Sequence, residues 1–389
     1  MFAIVLACGR YTGAASADPK QIYDQSTDAL YNLDFNTAQH GYEALTHDYP
    51  DNPDYWNALA SSIWLKITFD QQKLNLESFS GSSLGTKDSH DAVNPDDEKR
   101  LRDTVATAIA KADAMLKKNP KDIRALYAKG ISNATLASFE ATAKRSYMGA
   151  AGKAKTARDL HQQVLKLDPT FDDARMSVGA YNYVVGVVPP LLQLALRFVG
   201  VHGEGKDVGI EQLETAAAKG KTVSTDARMI LVVIYNREKQ YDQSLRLDNE
   251  LHAKYPHNFL FELAKASTYA KMKKFDEAVR VYEQVLAKVQ AKKDGYERLR
   301  QARVYYALGN TSIEGHDFEK AIDDFTHVVS ANDGTANEKG NAYLWLGKLY
   351  DSKGDRSRAI QQYDAIQGLN CDDDLKDQAL RYKRTPYKS

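Results

Sequence analysis

The stretches YLWLGKLY at residues 343–350 and RAIQQYDAI at residues 358–366 decide the fold of this chain. Apolar residues recur every three or four positions in both, which predicts two amphipathic helices whose apolar stripes face a core. Gly354 and Asp355 lie between them and predict the turn that makes the helices antiparallel. Gly347 on the first helix and Ala359 on the second are small enough to let the two backbones cross closely.

The same pattern recurs along the chain, with a small residue just inside an amphipathic stretch at each repeat. These positions are Ala38, Ala108, Ala157, Gly209, Ser244, Ala278, Ala321 and Ala359. A proline that ends the second helix follows some of them. These prolines are Pro50, Pro120, Pro169 and Pro256. Because one helix pair cannot bury its own apolar face, the units must stack, which predicts an all-α, right-handed superhelical solenoid of about eight antiparallel helix pairs.

The spacing W/Y-x-x-L-G-x-x-Y, then A-x-x-x-F/Y, then proline resembles the tetratricopeptide repeat. Residues 226–370 match this pattern closely, whereas residues 18–225 match it with two interruptions. The resemblance implies a non-enzymatic scaffold that binds a protein or peptide. It also implies that the first helix of each unit lines a concave face.

The interruptions lie in the N-terminal half. A Ser-, Gly- and Asp-rich insertion within residues 70–97 predicts a loop. Pro189 and Pro190 stop a repeat helix, and an extra apolar helix is predicted from Leu191 to Val199. The surrounding motifs, GAYNY at residues 179–183, PPLL at 189–192 and YPHN at 255–258, resemble one branch of exported bacterial tetratricopeptide proteins. Residues 371–389 are predicted to form a capping helix and a tail.

Residues 1–17 have features of a secretory signal peptide. FAIVLA at residues 2–7 is a short apolar run and ASA at residues 15–17 is typical of a cleavage site, although no basic segment precedes the run. A lipoprotein signal ending at Cys8 and an ordinary N-terminus are the alternatives. We therefore expect an exported, periplasmic protein of the cell envelope, with association to the outer membrane left open.

The charge balance excludes one class of partner. The chain has 52 Lys and Arg against 52 Asp and Glu, and the two signs are mixed along it. It therefore lacks the basic patch of a nucleic-acid-binding protein, and we expect no nucleic acid as partner. After cleavage only Cys371 would remain, so no intramolecular disulfide is expected. The oligomeric state is not predicted.

No pattern indicates an enzyme, a cofactor or a metal site. His40, Glu43 and His47 share one helix face, but that face points to solvent. The aspartates at 372–374 precede the last helix and predict helix capping rather than cation binding. GVHGEG at residues 200–205 lacks the lysine of a phosphate loop. An enzyme on a helical-hairpin scaffold remains an alternative, and it would need carboxylates paired across a groove.

Residues 184–201 are almost wholly apolar over about the length of a membrane span. Pro189, Pro190, Gln193 and Arg197 argue against a spanning helix. A helix buried in the superhelix is the favoured interpretation. A membrane-peripheral adaptor that uses the helix from Leu191 to Val199 is the alternative.

The register of the repeats predicts a peptide-binding face of aromatic, methionine and amide side chains, which suit an extended peptide. The residues predicted there are Trp64, Tyr127, Met176, Tyr183, Met229, Asn236, Tyr306 and Asn310. We expect Tyr127, Tyr183 and Tyr306 to share one concave channel. A clamp for a terminal carboxylate is not expected, because Tyr306 stands where such clamps carry a lysine.

Overall fold

The computed structural model describes residues 18–74, 93–189 and 200–388. Within these residues it contains 17 α-helices and no β-strand. The predicted signal peptide at residues 1–17 and the predicted apolar helix at 191–199 lie outside the described residues. Residues 75–92, most of the predicted insertion, lie outside them as well.

Helices follow one another along the described chain, separated mostly by short turns. The first eight are α1 (Pro19–Tyr31), α2 (Phe35–Asp48), α3 (Pro53–Asp70), α4 (Pro95–Lys118), α5 (Ile123–Thr142), α6 (Tyr147–Leu167), α7 (Arg175–Gly186) and α8 (Lys206–Lys219). The others are α9 (Ser224–Arg237), α10 (Tyr241–Lys254), α11 (Phe259–Lys271), α12 (Phe275–Gln290), α13 (Gln301–Glu314), α14 (Phe318–Ser330), α15 (Ala336–Ser352), α16 (Arg356–Gln367) and α17 (Asp373–Arg384).

Each odd-numbered helix from α1 to α15 packs against the helix that follows it, which makes eight hairpins. Successive hairpins also pack on each other, and α17 covers α15 and α16 at the end of the stack. The predicted all-α solenoid of about eight helix pairs is therefore confirmed. A short 3₁₀ turn, Asp172–Ala174, precedes α7.

Short polar side chains at the helix starts explain where many of these helices begin. The Asn52 side-chain oxygen accepts a hydrogen bond from the backbone N–H of Asp54 at 3.1 Å. Thr335 and Glu338 cap the start of α15 reciprocally, each side chain accepting from the other residue's backbone N–H. Such bonds satisfy backbone donors that have no partner within the helix.

The turn inside five hairpins has the same geometry, because one residue in each adopts a positive φ. These residues are Leu33, Lys239, Lys273, His316 and Gly354. A left-handed residue at this point satisfies carbonyls at the end of the first helix and reverses the chain. Gly354 adopts it without steric cost, whereas the other four carry a side chain. The recurring turn gives these hairpins a common shape.

In the C-terminal hairpins an aromatic ring of the second helix packs on a glycine of the first. A Cβ atom added to Gly309 would lie 2.7 Å from Cε1 of Phe325, and one added to Gly347 would lie 2.3 Å from Cε1 of Tyr363. Ala321, predicted at a close crossing, is fully buried. Small residues therefore set the distance between paired helices.

The third hairpin places an imidazole where the later hairpins have an aromatic ring. His161 of α6 packs over Gly130 of α5, and an added Cβ would lie 2.1 Å from its Nε2. In the fourth hairpin the glycine faces backbone atoms of the partner helix instead of a side chain. A Cβ on Gly209 would lie 2.5 Å from the backbone nitrogen of Tyr183 and 2.7 Å from the carbonyl oxygen of Gly179.

The superhelix returns on itself, so that the first hairpins contact the sixth. Asn258 at the start of α11 donates a buried hydrogen bond from Nδ2 to the carbonyl oxygen of Tyr31, at 2.7 Å. The backbone N–H of His257 donates to Oδ1 of Asn32 at 3.2 Å. The rings of Tyr31 and Tyr255 lie 5.0 Å apart.

The linker between α12 and α13 completes this contact, which we call the closure interface. The Arg298 guanidinium donates to Asp70 at 2.8 Å and lies 4.4 Å from the centre of the Phe69 ring. The Phe69 ring in turn lies 6.1 Å from Phe259. Residues far apart in sequence therefore close the superhelix into a ring.

Candidate binding channel

The ring encloses a channel with a volume of about 2020 Å³. Its wall comes mainly from the first helix of each of the first five hairpins, α1, α3, α5, α7 and α9. The wall is largely apolar, with partly exposed side chains such as Leu65, Ile230 and Val233. The channel is thus concave, apolar and formed by the predicted set of inner helices.

Five of the eight predicted binding residues line the channel. They are Trp64, Tyr127, Met176, Tyr183 and Met229. Met176 and Met229 are partly exposed on neighbouring helices, and their flexible thioether side chains can adapt to different ligand shapes. The placement brings these residues together, and peptide binding by them stays a prediction.

Two of the aromatic side chains are held in place by contacts behind the wall. The Trp64 indole N–H donates to Oγ1 of Thr142 at 2.9 Å. The Tyr127 ring stacks on His161 at 4.8 Å, and His161 Nε2 lies 3.0 Å from the Tyr127 carbonyl oxygen. Burial lowers the pKa of His161 to about 4, so its imidazole is neutral at physiological pH. Both rings are therefore positioned before any ligand arrives.

Tyr183 belongs partly to the core. Its side chain is only 5% exposed, and its hydroxyl donates to Oε1 of Glu238 at 3.0 Å. Burial and the neighbouring carboxylate both raise the pKa of Tyr183. Replacing Tyr183 by alanine should therefore destabilise the fold and also remove part of the channel wall.

The remaining three predicted residues do not line the channel. Asn236 is buried between hairpins, where its Nδ2 donates to Ser244 Oγ at 2.6 Å and its Oδ1 accepts from Thr268 at 3.1 Å. Tyr306 packs on Phe325 of its own hairpin at 6.0 Å, and Asn310 hydrogen-bonds its hydroxyl. Contrary to expectation, Tyr306 does not share the channel with Tyr127 and Tyr183.

Five aspartates line the channel, at positions 18, 54, 70, 173 and 226. Three of them lie at the starts of inner helices beyond α1, and the sequence analysis did not single them out. Asp54 and Asp226 lie in the first turns of α3 and α9, and Asp173 lies in the 3₁₀ turn before α7. In sequence, an aspartate at a helix start is ordinarily explained by capping. The sequence signal that could have revealed these carboxylates is the recurrence of aspartate at the starts of the inner helices.

The three carboxylates differ in their partners. Asp54 accepts from Nε of Arg124 at 2.8 Å. Asp173 accepts from the backbone N–H and the hydroxyl of Thr222, at 3.2 and 3.1 Å. Asp226 is hydrogen-bonded by the Tyr31 hydroxyl, and burial raises the pKa of its carboxyl to about 6. Asp226 therefore lies in a poorly solvated part of the channel.

Other acidic residues of the chain also have structural partners. Glu43 pairs with Arg100 at 2.5 Å. Asp333 accepts from the backbone N–H groups of Gln301 and Ala302 at 2.7 and 3.2 Å, so it joins two repeats. In the part of the chain that the structure describes, no group of three or more His, Cys, Asp or Glu could hold a metal ion.

None of the described helices is both long enough and apolar enough to cross a membrane. The part of residues 184–201 that the structure describes includes Val184, which is 59% exposed, and Val187 and Val188, which line the channel.

Three family profiles match the chain. The profile described as Iml2/Tetratricopeptide repeat protein 39 matches residues 173–336. Two profiles described as Tetratricopeptide repeat match residues 23–66 and 340–370. No curated protein matches the chain.

Solved structures with a similar arrangement share little sequence with it. Yeast Tom70 is 14% identical, with 95% of this chain and 88% of that chain covered and a TM-score of 0.39. The human IFIT1 dimer with m7Gppp-AAAA is 14% identical, covering 96% and 88%, with a TM-score of 0.44. A tetratricopeptide repeat protein from Parabacteroides merdae ATCC 43184 is 17% identical, covering 85% and 98%, with a TM-score of 0.33.

Proposed function

We propose that this chain, which is a tetratricopeptide-repeat protein, is a non-enzymatic scaffold that holds a peptide segment of a partner protein in its channel. The observation that carries the proposal is the closed ring with an apolar, aromatic channel of about 2020 Å³ at its centre. Tetratricopeptide repeats generally mediate binding between proteins.

The chemistry of the wall favours a peptide over a small polar ligand. Aromatic and methionine side chains are enriched where proteins bind each other, because they bury large areas at small entropic cost. Trp64 and Tyr127 are fixed by their hydrogen bond and ring stack, whereas Met176 and Met229 are adaptable. This combination suits a partner segment that fills the channel with several side chains.

An enzyme would need carboxylates free to act across the groove. Asp54 is instead tied to Arg124, and Asp173 is held by Thr222. Since the partners of these two carboxylates already fix them, we favour binding over catalysis.

We propose further that the protein works in the bacterial cell envelope, after cleavage behind Ala17. Asp18 caps α1 by accepting from the backbone N–H of Lys20 at 3.0 Å, so cleavage there would leave the first helix intact. N-terminal sequencing of protein from a periplasmic fraction should begin at Asp18. An uncleaved chain confined to the cytosol would contradict the envelope proposal.

Contact with a membrane surface is a second candidate function, favoured by the 59% exposure of Val184, an apolar residue of the channel wall. Co-sedimentation of the full chain with phosphatidylglycerol vesicles should then depend on Val184. Loss of sedimentation in Val184→Ser would support this role, whereas absence of sedimentation in the unaltered chain would remove it.

Selection of random dodecapeptides displayed on their own mRNA, against the purified full chain, tests the scaffold proposal. Selected peptides should bind less well to the double variant Met176→Ala, Met229→Ala, by roughly 1–2 kcal/mol or five- to thirtyfold in Kd. The matched control is Met148→Ala, because Met148 is 87% exposed and does not line the channel. Equal binding to both variants, or no selected peptide at all, would contradict the proposal.

A further inference from the structure

One end of the channel has an unusual combination of tyrosine rings and carboxylates. The hydroxyl of Tyr23 on α1 is close enough to Asp54, Asp173 and Asp226 to feel the charge of all three. Tyr31 donates to Asp226, and Tyr127 lies in the field of Asp173. All six side chains line the channel, and they come from α1, α3, α5, the turn before α7, and α9.

Two of the three carboxylates have only neutral partners among the described residues. Asp54 is already paired with Arg124. Asp173 is bonded to Thr222, and Asp226 is bonded to the Tyr31 hydroxyl. Carboxylates so placed are costly unless a cation joins them, because an apolar wall solvates charge poorly.

Lys73, Arg145 and Arg237 of the channel wall lie at the opposite, C-terminal ends of α3, α5 and α9. The two basic residues of the wall near the helix starts have other partners. Arg124 is bonded to Asp54 and to Asn52, at 2.8 and 2.7 Å. Lys20 pairs with Asp24, on the exposed side of α1. The charge at this end of the channel is therefore complementary to a positively charged ligand group.

We propose that a lysine or arginine side chain of the bound peptide inserts at this point, between the rings of Tyr23, Tyr31 and Tyr127, and is held by Asp173 and Asp226. We call these five residues the acid pocket. The inference rests on the proposed function and adds to it the charge of the ligand.

Two physical effects favour a cation here over a neutral donor. Tyrosine ring faces are negative and attract ammonium and guanidinium groups. Carboxylates accept hydrogen bonds from charged donors about twice as strongly as from neutral ones. An acidic or phosphorylated segment would instead be repelled by Asp173 and Asp226, so the pocket also selects against such partners.

The test uses dodecapeptides selected on the full chain as described above, followed by isothermal titration. Selected peptides should share a Lys or Arg, and its replacement by norleucine should weaken binding at least tenfold. Asp226→Asn and Asp173→Asn should each weaken the binding of the parent peptide to a similar extent. Asp28→Asn is the matched control, because Asp28 is exposed on α1 and outside the channel wall, and it should leave binding unchanged.

A double-mutant cycle identifies the contact itself. If the peptide cation meets Asp226, the norleucine peptide should bind the unaltered chain and Asp226→Asn equally, so that the two losses do not add. Additive losses for both aspartate variants would overturn the inference.

The failure of this inference differs from failure of the proposed function. Selected peptides that depend on Met176 and Met229 but show no shared Lys or Arg would overturn the acid pocket and leave the scaffold proposal standing. Absence of any channel-dependent peptide would overturn both.

Discussion

The C-terminal and N-terminal hairpins use different residues where the two helices of a pair cross closely. In the C-terminal half, the rings of Phe325 and Tyr363 rest on glycines of the partner helix. In the third hairpin the neutral imidazole of His161 takes that place and hydrogen-bonds to the neighbouring Tyr127 carbonyl. The C-terminal contacts are made by aromatic rings, and the Tyr363 hydroxyl also donates to Asp351 at 2.9 Å, whereas the third hairpin places an imidazole bonded to the backbone at the crossing.

The channel wall combines interrupted repeats from residues 18–225 with the regular repeat that begins at residue 226. It comes mainly from α1 to α9, and the acid pocket lies within that part. The regular repeats from α11 onwards contribute to the closure interface through Asn258, Phe259 and Arg298. The regular repeats therefore close the ring and also supply Asp226 and Met229 to its interior, whereas the interrupted repeats supply the rest of the inner helices.

The largest expected effect comes from the backbone contact in the fourth hairpin. Gly209→Ala would place a Cβ 2.5 Å from the Tyr183 backbone nitrogen, which cannot move aside as a side-chain end could. We expect the free energy of unfolding to fall by more than about 3 kcal/mol. Denaturant titration measures this loss, and a change below about 1 kcal/mol would show that the two helices can separate without cost.

His161 should make the N-terminal half sensitive to acid. Its pKa is about 4 when folded, against an ordinary value of 6.5, so the unfolded chain binds the proton more readily between these values. Stability is therefore lost as pH falls from about 6.5 to 4, by roughly 3 kcal/mol from this group. Ser177 and Tyr127 face the ring and supply no charge in that range.

The comparison of His161→Phe with the unaltered chain isolates this effect. Phenylalanine restores the apolar contact of the later hairpins, and unfolding between pH 7 and pH 4 should then depend less on pH. His47→Phe is the control, because His47 is exposed. An unchanged pH slope in His161→Phe would show that the imidazole is not buried as described.

A matched change in the regular repeats should cost less than the glycine substitution. Ala321 is fully buried at a helix crossing, so Ala321→Leu should overpack it by about 1–3 kcal/mol. The same substitution at the exposed Ala253 should change stability little. A thermal midpoint unchanged within error for Ala321→Leu would mean that the crossing lies elsewhere.

A change at Asp226 should have the smallest effect on stability. The pH dependence that Asp226 contributes has the opposite sign to that of His161. The folded pKa of Asp226, about 6, exceeds the ordinary 3.8, so the folded chain binds the proton more readily and stability is lost as pH rises from about 3.8 to 6. Asp226→Asn should therefore stabilise the chain at pH 7, by about 1–2 kcal/mol after allowance for partial exposure, and not at pH 4. Tyr23 and Tyr31 of α1 and Tyr42 of α2 are the titratable groups near it.

Thermal unfolding of Asp226→Asn at the two pH values measures this difference. A gain in stability at pH 7 together with weaker binding of a cationic peptide would indicate that the carboxylate is kept for its ligand. A loss of stability at pH 7 would show that Asp226 is instead a structural hydrogen-bond acceptor.

The fold could be predicted from sequence because each hairpin carries its own periodic pattern. Gly347, Ala359 and Ala321 act locally, within one pair of helices, and their spacing reveals the crossing. The channel residues Trp64 and Met229 follow from the same register.

The closure interface and the acid pocket could not be predicted in the same way. The bond from Asn258 to Tyr31 joins residues 227 positions apart, and no periodic pattern encodes such a contact. Asp173 and Asp226 resemble ordinary helix caps until the superhelix places both in the wall of one channel. The placement of these two aspartates in the channel depends on the curvature of the whole stack of hairpins, which repeat spacing does not reveal.

Site-specific photocrosslinking tests the central claim, that the channel holds the partner, most directly. A photoreactive benzoylphenylalanine would replace Met229 in the channel or, as control, Phe318, which is 46% exposed and outside the channel wall. In cells that express the protein, irradiation should join a partner to the Met229 position, and a selected dodecapeptide should compete it away. Adducts at the Phe318 position alone, in chains that remain folded, would contradict the account.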